Sequence, residues 1–133
     1  KKVQSQSTSN PTSISQVAAQ AALEGDQSCI RPMIEAFKER HDYVVAALND
    51  IPGVICLPAD GTFYCFPQVQ TVIDRLDGVN DDIQFAEYLL DQAGVALVPG
   101  SAFGAPGYVR MSFATGMDTL RDALARITRA LTR

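Results

Sequence analysis

A guanidinium in the middle of a short, mostly apolar run demands a chemical explanation. Arg110 lies within Tyr108-Val109-Arg110-Met111-Ser112-Phe113. Strand alternation puts Val109, Met111 and Phe113 on one face and Tyr108, Arg110 and Ser112 on the other. A charge in a buried strand must be paired, because an unpaired one is very costly. Its partner is either an internal Asp or Glu, or a ligand carboxylate gripped by the planar fork of the guanidinium. Pattern alone leaves these two readings level. The run Pro99–Gly107, PGSAFGAPG, immediately precedes the strand. It tilts the balance towards a ligand, since glycines let a backbone lie close to one.

Other constellations carry less chemistry. A Ser/His/Asp or Cys/His unit needs a histidine as base. The sequence has one, His41, on the apolar stripe of a predicted helix, where a packed structural role is the simpler reading. One histidine with three scattered cysteines does not supply converging ligands, so no metal is expected. Gly100-x-x-x-Gly104-x-x-Gly107 is not the G-x-G-x-x-G fingerprint, and no helix follows it directly. Asp81-Asp82 could pair as carboxylates, but adjacent acids at a helix start read more simply as capping and dipole matching. Cys29, Cys56 and Cys65 form no CxxC pair, and their odd number argues against a disulfide framework. They read as reduced core thiols of a cytosolic protein.

Helices and strands interleave around these residues. Ser13 and Gln16 form a capping box, and Ile14, Val17, Ala18, Ala21 and Ala22 follow at helical spacing, with Gly25 as a stop. Ser28 is the expected cap of a longer helix reaching Asn49, with Pro32 in its first turn. Ile30, Ile34, Phe37, His41, Val44, Val45 and Leu48 form its apolar stripe. Short strands are expected at Val54–Leu57 and Thr62–Phe66, around the turn Pro58-Ala59-Asp60-Gly61, where glycine allows φ above zero. Asp81 or Asp82 caps a third helix ending at Gly94, with Ile83, Phe85, Ala86, Leu89 and Leu90 inward. Val95–Val98 is a buried strand. Thr115 and Asp118 resemble a capping box before a last helix striped by Met117, Leu120, Leu124, Ile127 and Leu131. The expected fold is α/β (an α+β small domain): a three- to four-stranded sheet packed by three helices.

Bulk properties narrow the classes. The chain has 133 residues, 47% hydrophobic and 20% charged, with a net charge of -4. That suits one domain with its own core, or a domain plus a flanking piece. The negative balance argues against nucleic acid or an anionic membrane as partner. No apolar run approaches the roughly 20 residues that span a bilayer, and no secretory segment opens the chain. The opening KKVQSQSTSN reads either as a disordered polar tail or as a start inside a larger protein.

PGSAFGAPGYVRMSFA followed by MDTLRDALARI resembles the C-terminal signature of class I pyridoxal-phosphate-dependent aminotransferases. DGTFYCFP resembles the hairpin strand before it. QSQSTSNPTSISQVAAQAAL resembles the segment after the Schiff-base region in the bacterial aspartate and aromatic branch. The resemblance runs along essentially the whole chain. It implies that residues 1–27 are the tail of the large cofactor domain, an interface segment and helix, and that residues 28–133 are the C-terminal small domain. Arg110 would bind the substrate α-carboxylate through two parallel hydrogen bonds. Ser9 and Asn10 would approach the partner subunit's cofactor site in a homodimer. Ser101, Ala102 and Phe103 would form part of the wall near the substrate. One aspartate-specific branch carries a distal-carboxylate arginine where this sequence has Ser5.

By the same resemblance the internal-aldimine lysine and the acid facing the pyridine nitrogen lie upstream, outside this chain. No catalytic residue is therefore expected within it, and pyridoxal 5'-phosphate is expected in the full-length enzyme and not on this chain alone. The parent would exchange an amino group between an aspartate-like or aromatic amino acid and a 2-oxo acid in the cytoplasm. The missing large domain would then be this chain's natural partner. A decarboxylase or lyase of the same cofactor fold would keep Arg110 for the same carboxylate. A free-standing α/β regulatory or interaction domain is the alternative from another class, with Arg110 in a structural ion pair.

Overall fold

The computed structural model describes residues 2–7 and 10–132. The chain divides into two compact units between Ile34 and Glu35, within one helix.

The first unit is helical. Helix α1 spans Lys2–Ser7, within the polar opening. Helix α2 spans Ser13–Glu24, and α3, Ile30–Asn49, begins in this unit. The cap of α2 sits one residue earlier than expected. Thr12, in extended backbone, accepts the Ser15 N–H on its hydroxyl, and Gln16 Nε2 donates to the Pro11 carbonyl at 2.8 Å. Ser28 does not cap α3 either. Its N–H and hydroxyl both donate to the Asp26 carboxylate, at 2.9 and 2.5 Å. Helix α2 has the predicted periodicity, yet none of its residues is buried, and Ile14 and Leu23 are each 81% exposed. Periodicity reports the face a helix can bury, not whether a partner is there to bury it.

The second unit is a sheet covered by helices. After α3 come strand β1 (Tyr64–Cys65), the short helix α4 (Gln70–Ile73), α5 (Asp82–Ala93), β2 (Val98–Pro99), β3 (Val109–Ser112) and α6 (Met117–Leu131). The strands run antiparallel in the order β1-β3-β2, with Tyr64 opposite Ser112 and Val98 opposite Arg110. Three strands fall within the expected range. The strand expected at Val54–Leu57 is reduced to a single bridge between Ile55 and Gln68. Its backbone groups go elsewhere: Asn49 of α3 accepts the Cys56 N–H at 2.9 Å and donates to the Cys56 carbonyl at 2.8 Å. A polar side chain thus does the work of a ladder partner.

Val109 and Met111 of β3, and Phe113 just after it, are buried on the inner face, as alternation predicted. They share one core with Phe85 and Leu89 of α5, Leu120, Leu124 and Ile127 of α6, and Val44 and Leu48 of α3. Ile83 and Leu90 do not point inward as expected; they are 49% and 51% exposed. The buried stripe of α5 is Asp82, Phe85, Ala86, Leu89 and Ala93, and a polar residue takes a place in it. Gly94 ends α5 in the left-handed conformation, and Arg126 of α6 donates to the Ala93 carbonyl at 2.7 Å. The Thr115–Asp118 box does not form; Gly116 is the N-cap of α6, without a side-chain bond.

Asp81 caps α5 by accepting the Gln84 N–H at 2.8 Å. Asp81→Ala leaves that helix-end donor to water, and such losses typically cost about 1 kcal/mol. Urea unfolding should show a lower midpoint with an unchanged slope; an unchanged midpoint would mean that the cap contributes nothing.

Candidate functional site

The register of the sheet builds the site. Tyr64 lies opposite Ser112, which makes it the diagonal neighbour of Arg110 on the same face, within reach of long side chains. The Arg110 guanidinium carbon accordingly stands 4.4 Å from the centre of the Tyr64 ring. On its other side it stands 4.6 Å from the centre of the Phe103 ring. Two aromatic faces attract the cation and restrain its plane. Phe66 stacks on Tyr108 at 5.3 Å, with 13° between the rings, and meets Phe103 edge-on at 6.1 Å. These residues line an open cavity of about 650 Å³ together with Ile55, Leu57, Pro58, Ala59, Thr62 and Gln68.

Arg110 is the one charged residue of that lining. No carboxylate among the described residues pairs with it. The internal ion pair left open by the sequence is therefore absent among these residues. A half-buried cation is held by rings on its faces, and its N–H edge meets no carboxylate of the described residues.

The glycine-rich loop that carries Phe103 is tied at several points. Residues Gly100–Phe103 form a single 3-10 turn closed by Gly104 in the left-handed conformation. The Gly100 N–H donates to the Tyr108 carbonyl at 2.7 Å, and its own carbonyl accepts from Ala105 at 3.0 Å. Asp82, buried at 2% exposure, accepts the Ser101 N–H at 2.7 Å. Burial by itself would raise its pKa. The nearby Ser101 N–H and hydroxyl, its own N–H and the Gly107 N–H outweigh that and hold it below the ordinary carboxylate value.

The opposite lip is the turn at residues 58–62. The left-handed φ expected at Gly61 falls instead on Thr62, at 65°. Left-handed backbone is unusual for a β-branched residue. His41 holds this lip: its Nε2 accepts the Ala59 N–H at 3.0 Å, and its Nδ1 lies 3.0 Å from Asp42. That pairing fits a neutral ring with the proton on Nδ1. The ring also packs edge-on against Phe113 at 5.8 Å. His41 is a structural histidine. Cys56 and Cys65 are buried, but Cys29 is exposed, contrary to its reading as a core thiol. No metal-binding cluster occurs among the described residues.

The sequence-predicted residues are thus only partly gathered. Arg110 and Phe103 line the cavity; Ser101 and Ala102 belong to the turn but not to its lining. Asn10 lies exposed before α2, in the other compact unit. Ser9 is outside the described residues. Tyr64 and Asp82 escaped the sequence reading as site residues. Tyr64 depends on cross-strand register, while Asp82 read as a cap.

The family model described as aminotransferase class I and II matches residues 1–127. The chain belongs to the class I and II aminotransferases. It is 55% identical to the aspartate/prephenate aminotransferase of Nitrosomonas europaea over 97% of its length, and 44% identical to the aspartate aminotransferase of Bacillus subtilis over 94%. It covers 34% and 32% of those proteins, and so spans about a third of the relatives it matches. The crystal structure of the aspartate aminotransferase from Rhizobium meliloti superposes with a TM-score of 0.89 at 43% identity, over 98% of this chain and 34% of that one. The alanine aminotransferase from Pyrococcus furiosus gives 0.83 at 31% identity, over 92% and 30%.

This family is in general pyridoxal-phosphate-dependent, and that cofactor needs a lysine for its Schiff base. No lysine is among the residues lining the cavity. Lys38 is paired with Asp42 on the exposed side of α3, and Lys2 lies in α1. The described residues therefore do not by themselves fit a pyridoxal phosphate site. No helix of the described residues is long and apolar enough to cross a membrane.

Proposed function

We propose that this chain supplies the substrate-carboxylate wall of an aminotransferase that moves an amino group between an amino acid and a 2-oxo acid. Arg110 grips the α-carboxylate through two N–H bonds. The observation that carries this reading is a guanidinium restrained between two rings at a cavity, with no carboxylate of the described residues against its edge. Aspartate and prephenate, which the relatives' names carry, are the first substrates to test. The wider cavity wall is largely aromatic and aliphatic, which suits an aromatic body as well as an aspartate-like one. Residues 1–27 act as the tail of the large cofactor domain and residues 28–133 as the small domain. Pyridoxal 5'-phosphate, the Schiff-base lysine and the remaining cofactor contacts belong to that large domain. The intact enzyme works as a cytoplasmic homodimer, with Ser9 and Asn10 towards the partner subunit's site.

The carboxylate grip can be read on the chain itself. Millimolar oxaloacetate should move the Arg110 Nε–Hε resonance in a nitrogen–proton spectrum and leave the Arg121 resonance in place. No movement of Arg110 would refute the grip. The absence of a lysine at the cavity gives a second expectation. Titration of the chain with pyridoxal phosphate should give no aldimine band that survives dialysis; a stable band mapping to one lysine would overturn the division of labour proposed here.

A further inference from the structure

We infer that Asp82 is a positioning residue for Arg110: its buried carboxylate fastens the glycine-rich loop so that Phe103 closes the second face of the guanidinium. The inference rests on reading Arg110 as the carboxylate grip. It concerns a residue that touches neither Arg110 nor the cavity lining.

A buried carboxylate normally answers to a cation or to converging hydrogen-bond donors. No arginine or lysine of the described residues bridges Asp82. Its partner is instead the Ser101 N–H at 2.7 Å. Ser101 stands near the start of the glycine-rich loop, in the turn that carries Phe103, so the carboxylate fastens that turn. Phe103 is two residues beyond Ser101 in the same turn, which the Gly104 N–H closes on the Ser101 carbonyl at 3.0 Å. Phe103 itself is 50% exposed, with the edge-on Phe66 ring at 6.1 Å beside it. Its place over Arg110 is inherited from the turn.

The consequence for Arg110 is geometric. Tyr64 is fixed by the sheet and covers one face whatever the loop does. Only the Phe103 face depends on the loop. With both faces covered, the guanidinium is held with its planar N–H edge free, the arrangement that bidentate carboxylate recognition needs. With one face open, it regains rotamers and water, and each binding event must order it again.

Asparagine at position 82 keeps the shape but turns one acceptor into a donor. Its bond to the Ser101 N–H loses the charge assistance of a carboxylate, and is lost where the amide NH₂ faces that donor. Asp82→Asn should therefore move the Arg110 Nε–Hε resonance most of the way to its position in Phe103→Leu, which removes the second ring outright. The Val109 and Leu89 methyl resonances should stay in place, separating loop release from general unfolding. An Arg110 resonance in Asp82→Asn that matches the unmutated chain while Phe103→Leu moves it would overturn the inference. Should Asp82→Asn not fold, Asp82→Ser, whose shorter side chain withdraws the acceptor from the Ser101 N–H, takes its place: a partial move in the same direction supports the inference, and none refutes it. The oxaloacetate titration of the unmutated chain judges the Arg110 reading separately, because the ring-current comparison needs no ligand.

Discussion

Arg110→Lys is expected to lower kcat/KM for amino acids by at least roughly tenfold in the intact aminotransferase, while the cofactor stays bound. The guanidinium can present two parallel N–H donors to a carboxylate, and an ammonium cannot reproduce that fork. Loss of a hydrogen bond to a charged group costs about 1.5–3 kcal/mol, and each 1.4 kcal/mol is roughly tenfold in rate. The structure adds a further reason. Two rings flank a flat group at 4.4 and 4.6 Å, a slot shaped for a guanidinium plane. A lysine chain would leave that slot half-filled and admit water. Amines lacking an α-carboxylate have no such contact to lose and should be much less affected. Equal kcat/KM values for the two proteins on amino acids would refute the role. Arg110 would then matter for stability alone, and the unfolding midpoint of the variant should fall instead.

Much of this site could be read from residue order, because it rests on short-range physics. Alternation along Tyr108–Phe113 fixed which residues of β3 go inward, and Val109, Met111 and Phe113 are each no more than 4% exposed. Gly94 and the α5 cap follow from local chemistry, and the structure has both. What failed was what depends on long-range pairing. Tyr64 reaches Arg110 because β1 pairs with β3 in one register, and a shift by one residue would turn it to the other face. Nothing within DGTFYCFP specifies that pairing. The missing strand at Val54–Leu57 has the same origin: Asn49, seven positions before Cys56, satisfies both backbone groups of Cys56 from a neighbouring helix. Asp82 was legible as an acid at a helix start, where it also favours the helix dipole. That its carboxylate turns inward to Ser101 required knowing where the loop returns. Ile14 and Val17 show the converse limit, a face written in sequence and left bare in its own compact unit.

Gly100→Ala should disable the same site through the loop, with no change in charge. A Cβ at Gly100 would stand 2.3 Å from the Ala105 carbonyl oxygen, 2.6 Å from the Tyr108 carbonyl oxygen and 2.8 Å from the Tyr108 Cβ. Two of these atoms belong to backbone, so no flexible side chain can swing away. Gly100 is also tied on both sides, donating to Tyr108 at 2.7 Å and accepting from Ala105 at 3.0 Å. Relief of the clash must lengthen at least one of these bonds and carry Ser101 away from Asp82. Overpacking of this kind costs about 1–3 kcal/mol, and each weakened hydrogen bond adds about 1 kcal/mol. A loss of at least about 2 kcal/mol is expected in urea unfolding, together with weaker carboxylate binding at Arg110. Gly61→Ala is the matched control. No atom lies within 4 Å of its Cβ position, and its φ is not in the left-handed region. That change should be neutral or stabilise by a few tenths of a kcal/mol, through the unfolded chain. If Gly100→Ala were as mild as Gly61→Ala, the loop would be free to reshape around a methyl group. Its hold on Phe103, and through Phe103 on Arg110, would then be too soft to prepare a carboxylate site.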